Sequence, residues 1–198
     1  IKPKQVAQEV PLPSAASPRP VKRFLALKSD AYHSSGCGIF YAIVKTAPIY
    51  TEGYDMSNSQ WYIGNEKGIE HILSRPVNAA ATPQAHEISV AIHCNSINFH
   101  DLGVVMGMFP VDGERVLLSD AAGVVTAVGS AVNEFAVGDK VVSTFFSDWH
   151  SGKADFIGFG GVPGDGIDGY AQHQVTAHQQ AFTHIPKHFN LQQAATIP

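Results

Sequence analysis

Asn98, Phe99 and Asp101 place an amide, an apolar ring and a carboxylate within four consecutive positions. An amide N–H can donate to an oxygen that gathers negative charge, whereas an ionised carboxylate only accepts. The same residues also suit a structural role, with Asn98 tying down a turn and Asp101 capping the helix that follows. Both uses stand for Asn98, and capping is the favoured one for Asp101.

Other chemistry-bearing groups are less well placed. His93 and Cys94 are neighbours in an alternating run, so they face opposite ways and cannot share one metal ion. His184 and His188 have the i, i+4 spacing of a helical pair, but Pro186 lies between them, which makes them surface-loop residues. Ser119 and Asp120 lack the Gly-x-Ser-x-Gly frame of a serine hydrolase. Phe145, Phe146, Trp149 and Phe156 suit either an apolar pocket or a barrel core. The glycine-rich stretch Gly158–Gly166 puts Pro163 in the last place of a Gly-x-Gly-x-x-Gly frame. No apolar strand leads into it, so it reads as a loop and not as a pyrophosphate-binding turn.

The elements around these groups are mostly strands. Glu87 to Cys94 alternates, with Ile88, Val90, Ile92 and Cys94 on one face. Val124, Val125 and Val128 predict a strand with tight ends at Gly123 and Gly129, and Gly138-Asp139 predicts a turn into a strand from Val141 to Phe146. Trp61 to Ile63 opens the first strand of the domain, and Asp101 to Met106 makes a short helical turn. Residues 147–169 form a long loop, residues 170–185 return as strands, and Asn190 with Gln193 makes a capping box for a final helix.

Composition narrows the class. The chain has 198 residues, 44% hydrophobic and 15% charged, with 18 Gly and 12 Pro that favour turns over long helices. A net charge of −4 argues against a nucleic-acid partner, because neutralising phosphates needs clustered Lys and Arg. Its longest clean apolar run, Ile39 to Val44, is far short of a membrane span. Two cysteines and no C-x-x-C build neither a disulfide framework nor a four-cysteine zinc site, and they fit a cytoplasmic protein. Residues 1–58 are punctuated by prolines and carry seven Lys or Arg against four Asp or Glu, where the remainder carries six against thirteen. They read as an N-terminal extension, poorly ordered, ahead of a domain at 59–198; the first methionine is Met56.

The order Ala122-Gly123-Val124-Val125, Val128-Gly129, Val132, Phe135, Gly138-Asp139, Val141 resembles the medium-chain dehydrogenase/reductase superfamily. Ser96 to Asp101 resembles its zinc-independent, quinone-oxidoreductase-like branch, and Asp168 to Gln172 and Asn190 to Pro198 resemble the end of the same catalytic domain. The resemblance implies a mainly β fold, a partly open GroES-like barrel with short helices. The partner Rossmann domain is absent from this chain, since in that family it begins just after the position of Ala195-Thr196-Ile197-Pro198. It implies an NAD(P)H-dependent parent oxidoreductase acting on a small carbonyl, enone or quinone substrate, and it leaves a full-length homodimer open. Asn98 and Asp101 would then be catalytic, Asn98 and Phe99 would meet the nicotinamide, and Phe99, Phe145 and Phe146 would line the substrate pocket. Many relatives have Tyr where this chain has Phe99, so a phenolic donor is missing. Zinc-dependent relatives carry a ligand Cys at the place of Asn98 and a Gly-His-Glu motif around Leu118-Ser119-Asp120, so no metal is expected here. This chain alone is expected to bind no cofactor. A non-catalytic GroES-like binding module is the alternative.

Overall fold

The computed structural model describes residues 59–77, 81–147, 149, 152–153 and 161–198, together with the backbone of two short strands at 19–20 and 42–45. Among the described residues ten strands run in chain order: β1 (Arg19–Pro20), β2 (Ala42–Lys45), β3 (Ser59–Ile63), β4 (Ile72–Pro76), β5 (Glu87–Ile97), β6 (Arg115–Val116), β7 (Asp120–Val128), β8 (Lys140–Ser143), β9 (Gln174–His178) and β10 (Phe182–His184). Two short helices join them, α1 (Phe99–Val105) and α2 (Leu191–Ala194). The smaller sheet has the order β1-β4-β3-β6 and the larger one β10-β8-β7-β5-β2. They do not close into a full barrel, so the fold is the mainly β, partly open barrel that the sequence implies.

The larger sheet is built on β5. Along one edge β7 pairs with Ile88 to Ser96; β9 pairs with Glu87 to Ala91 and β2 with Cys94 to Ile97. The apolar face predicted from alternation is present, since Ile88, Val90, Ile92 and Cys94 are all buried while His93 is exposed. The strand outruns the expected Cys94 end, because Asn95 and Ser96 are buried polar residues whose side chains find partners.

Other boundaries also depart from the sequence expectation: β8 ends at Ser143, short of the expected Phe146. Gly123 does not end a strand; β7 runs through it from Asp120. A Cβ at Gly123 would lie 2.1 Å from the Ala91 carbonyl oxygen, so the glycine permits close strand approach beside the irregular register between Ile92 and Cys94. Gly138, at φ 97°, does make the expected turn.

Three buried clusters fill the interior. Ile88, Val90, Val125, Val141, Tyr170 and Phe182 pack on one face of β5. Tyr62, Ile63 and Val116 pack with Val104 and Val105 of α1. Cys94, Ala122 and Val142 meet Ala194 and Ala195 of the α2 segment. The expected capping box fixes α2: Asn190 N–H donates to Gln193 Oε1 (3.0 Å) and Gln193 N–H to Asn190 Oδ1 (2.8 Å). Apart from the backbone of β1 and β2, the reading of residues 1–58 lies outside the described residues, as do Phe156 and Gly158–Gly160.

Candidate functional site

β5 ends at Ile97, and the chain turns at Asn98 directly into α1. That junction delivers the first group of candidate residues to one place. Asp101 stands at the third position of the helix, where its Oδ2 accepts the Asn98 backbone N–H at 2.7 Å. Its Oδ1 accepts the Ser119 N–H at 3.0 Å. Both oxygens of this buried carboxylate therefore tie the helix start to the segment entering β7, which is the capping use with a second anchor added.

Asn98 is tied from the other side. Its Nδ2 donates to Asp120 Oδ2 at 2.5 Å, and Ser96 Oγ donates to the same oxygen at 3.1 Å. Ser119 Oγ donates to Asp120 Oδ1 at 3.0 Å, while Asn95 Nδ2 reaches the Asp120 carbonyl at 2.9 Å. Asp120 is 1% exposed. Burial raises the pKa of both Asp101 and Asp120, and the hydrogen bonds they accept pull the other way. Asp120 thus orients the Asn98 amide, and one amide hydrogen is left to point elsewhere.

Leu118 carries strain into this cluster. Its φ of 72° is left-handed, a conformation that costs a non-glycine residue about 1–2 kcal/mol. Tyr170 N–H donates to its carbonyl at 2.8 Å, and Gly164 and Gly169 pack against its backbone. Leucine here holds a conformation that suits a glycine.

The aromatic candidates divide. Phe99 is 72% exposed and stands clear of the core. Phe145 meets His100 edge-on, with ring centroids 5.6 Å apart. Phe146 contacts Phe145 at 4.8 Å and lines a separate cavity of about 260 Å³ with Glu134, Trp149, Gln179 and Gln180. Phe145 and Phe146 thus stand together, while Phe99 lies exposed on α1.

The remaining candidates fall outside. His184 is exposed, stacks on Phe135 at 4.8 Å and lies 3.2 Å from Asp139, while His188 rests on Phe189. Among the described residues no group of three His, Cys, Asp or Glu side chains is placed to hold a metal ion. In the described part of the glycine-rich stretch, Gly164 N–H donates to the Ile167 carbonyl and Pro163 bridges Ile167, which makes a tight turn with no helix after it. No helix among the described residues is long and apolar enough to cross a membrane.

Sequence reasoning passed over His100. It lies between Phe99 and Asp101 on the first turn of α1, and no motif or spacing marks it. Its partner Asp165 comes from the distant loop, a pairing that spacing cannot reveal. Asp120, which lacks the frame of a serine hydrolase, accepts from the Asn98 amide and so positions it.

Comparison with known proteins agrees with this architecture. The family model of the alcohol dehydrogenase GroES-like domain matches residues 84–187. A zinc-type alcohol dehydrogenase-like protein of Schizosaccharomyces pombe is 30% identical over 114 residues, covering 57% of this chain and 33% of that protein. An erythronolide synthase of Saccharopolyspora erythraea is 32% identical over 90 residues, 45% of this chain and 2% of that one. The crystal structure of a protein assigned as an alcohol dehydrogenase from Sinorhizobium meliloti superposes with a TM-score of 0.58 at 30% identity, over 72% of this chain and 43% of that one. A quinone oxidoreductase of Pseudomonas syringae shares the fold, with a TM-score of 0.53 at 21% identity over 69% and 36% of the two chains. The chain spans a third or less of the length of these curated relatives. With the family model covering more than half of the chain, and the open barrel and β5–α1 junction in place, this chain belongs to the alcohol dehydrogenase GroES-like domain family of the medium-chain dehydrogenases/reductases.

Proposed function

We propose that the complete protein is a zinc-independent, NAD(P)H-dependent oxidoreductase for a small carbonyl, enone or quinone, and that this chain is its substrate-side domain. The observation that supports this most is the oriented Asn98 amide beside the exposed Phe99 ring. A carbonyl oxygen gathering charge needs a fixed donor, and a donor held in place by Asp120 is already oriented when substrate arrives. The Phe99 ring offers an uncovered apolar face to the nicotinamide, which when bound supplies the hydride. Phe145 meets His100 of the same turn edge-on.

Zinc does not fit these residues. The positions that carry ligands in zinc-dependent relatives hold Asn98, Ser119 and Asp120, with neither Cys nor His. Both oxygens of Asp101 and of Asp120 are engaged by protein donors. Elemental analysis of the dialysed protein should find far less than one zinc per chain; a stoichiometric ion would sink this part of the reading.

The test of activity uses the complete protein, supplied in turn with NADH and NADPH and a panel of quinones, enones and aldehydes. Cofactor oxidation that depends on substrate is expected, and Asn98→Ala should lower turnover about 10²-fold. Residues 1–198 alone should give no calorimetric signal with either cofactor. Absence of cofactor oxidation across the panel would favour a binding module, and unchanged turnover in Asn98→Ala would return that amide to a turn-forming role.

A further inference from the structure

We infer that His100, held by Asp165, is the group that exchanges a proton with the substrate oxygen in this site, an inference that rests on the oxidoreductase reading above. It follows from accounting for the polar atoms around Asn98. Asp101 has both oxygens on backbone N–H groups, and Asp120 has both on side-chain donors. Burial favours the protonated form of each carboxyl, but neither has an uncommitted oxygen at the surface of the site. Ser96 and Ser119 spend their hydroxyl hydrogens on Asp120. His100 is the residue of the turn that keeps an unmatched polar atom: its Nδ1 is buried with no partner. Buried polar atoms are otherwise paired in the great majority of cases, so such an orphan calls for a ligand.

The ring is held firmly enough for the purpose. Its Nε2 lies 3.3 Å from Asp165 Oδ2. One face stacks on Phe109 with centroids 5.3 Å apart and planes 27° apart, and Phe145 meets it edge-on. About a fifth of the side chain stays open (20%). With the Nε2 hydrogen donated to the Asp165 carboxylate, Nδ1 of the neutral ring carries the lone pair, and in the imidazolium both nitrogens carry a proton. The charged groups nearest the ring are carboxylates: Asp165 in contact, and Asp101 of α1 and Asp120 of β7 near enough to be influenced by its charge.

The step balances simply. In carbonyl reduction the substrate carbon gains a hydride from a reduced nicotinamide, which is oxidised. The π pair of the C=O bond moves onto oxygen, and that oxygen takes the proton from Nδ1 of the His100 imidazolium, leaving a neutral ring. Alcohol oxidation runs the other way, with Nδ1 taking the hydroxyl proton. Asp165 keeps the Nε2–H in both directions, which is the orienting part a carboxylate plays toward a catalytic imidazole.

Two measurements test the assignment. Nitrogen-15 NMR of the wild-type chain with its imidazoles neutral should show Nε2 of His100 protonated and Nδ1 bare; a neutral ring protonated at Nδ1 would overturn the proposal. In the complete protein, His100→Gln should reduce carbonyl reduction about 10²–10⁴-fold and abolish the limb of the pH profile that falls as pH rises. Asp165→Asn leaves the ring in place and should lower turnover, because the Nε2–H loses the carboxylate that orients the ring. Wild-type turnover with a His100→Gln variant that keeps both rate and limb would refute the role of His100 while leaving the oxidoreductase reading intact. A wild-type protein that transfers no hydride would remove that reading, and this inference with it.

Discussion

Replacing Asp120 by alanine should cost the domain about 3–5 kcal/mol, read as a fall in the guanidinium midpoint at unchanged slope. The side chain is 1% exposed and accepts from Ser96, Ser119 and Asn98. Alanine would leave three donors facing a void, and an unpaired buried donor costs about 1–3 kcal/mol. The losses overlap because the donors share one acceptor. Asp120→Asn keeps the shape and removes the charge, and its value lies in the pH dependence. Burial first, against the opposing hydrogen bonds, raises the folded pKa of Asp120 above its unfolded value near 4. The folded state therefore holds the proton longer than the unfolded chain. The resulting stability is complete below the unfolded pKa and is lost as pH rises through the folded one. Subtracting the Asp120→Asn midpoints from wild type between pH 4 and 8 should show that decline. A flat difference would mean that Asp120 is not desolvated in the way its burial indicates.

Gly169→Ala should destabilise by about 3 kcal/mol, the upper end for forcing extra volume into packed structure. An added Cβ would stand 2.3 Å from the Leu118 carbonyl oxygen and 2.4 Å from that of Leu117. Neither carbonyl can step aside, because Tyr170 N–H and Ala171 N–H donate to them at 2.8 Å each. The segment from Gly169 to Ala171 is laced to Val116–Leu118, and it is this lacing that holds Leu118 at positive φ. Relief of the clash would release Leu118 and shift Ser119, so Asn98 would lose part of its support as well. Gly64→Ala is the matched control, since a Cβ there meets nothing within 4 Å. A Gly169→Ala protein as stable as that control would show that the two segments can separate at little cost.

The sequence revealed what depends on local pattern. Alternation in Glu87–Cys94 gave the buried face of β5, and the Asn-x-x-Gln spacing gave the cap of α2 with both hydrogen bonds in place. The turn at Gly138 was equally plain. What escaped depends on contact between distant segments. Gly123 looks like a strand end because glycine usually is one, and only the approach of Ala91 explains it inside β7. Nothing about Leu118 marks it for a left-handed conformation; the backbone of residues 164–170 imposes it. Asn98 and Asp101 stand in one turn by their spacing alone, but their shared dependence on Ser119 and Asp120 required the register of β5 against β7.

The position of β5 between its neighbours has a consequence for how the chain acquires this fold. One edge of the strand is satisfied early in synthesis by β7, which follows it closely. The other edge stays bare along Glu87–Ala91 until Gln174–His178 leave the ribosome and pair with it. Such distant pairing makes closure slow, because the intervening chain must surrender its freedom before any hydrogen bond forms. During that wait, Ile88 and Val90 lie in a strand with an open edge, the kind of surface that joins strands of other molecules. Aggregation during expression should therefore rise steeply when β9 is weakened, even by changes that leave the finished domain almost as stable as before.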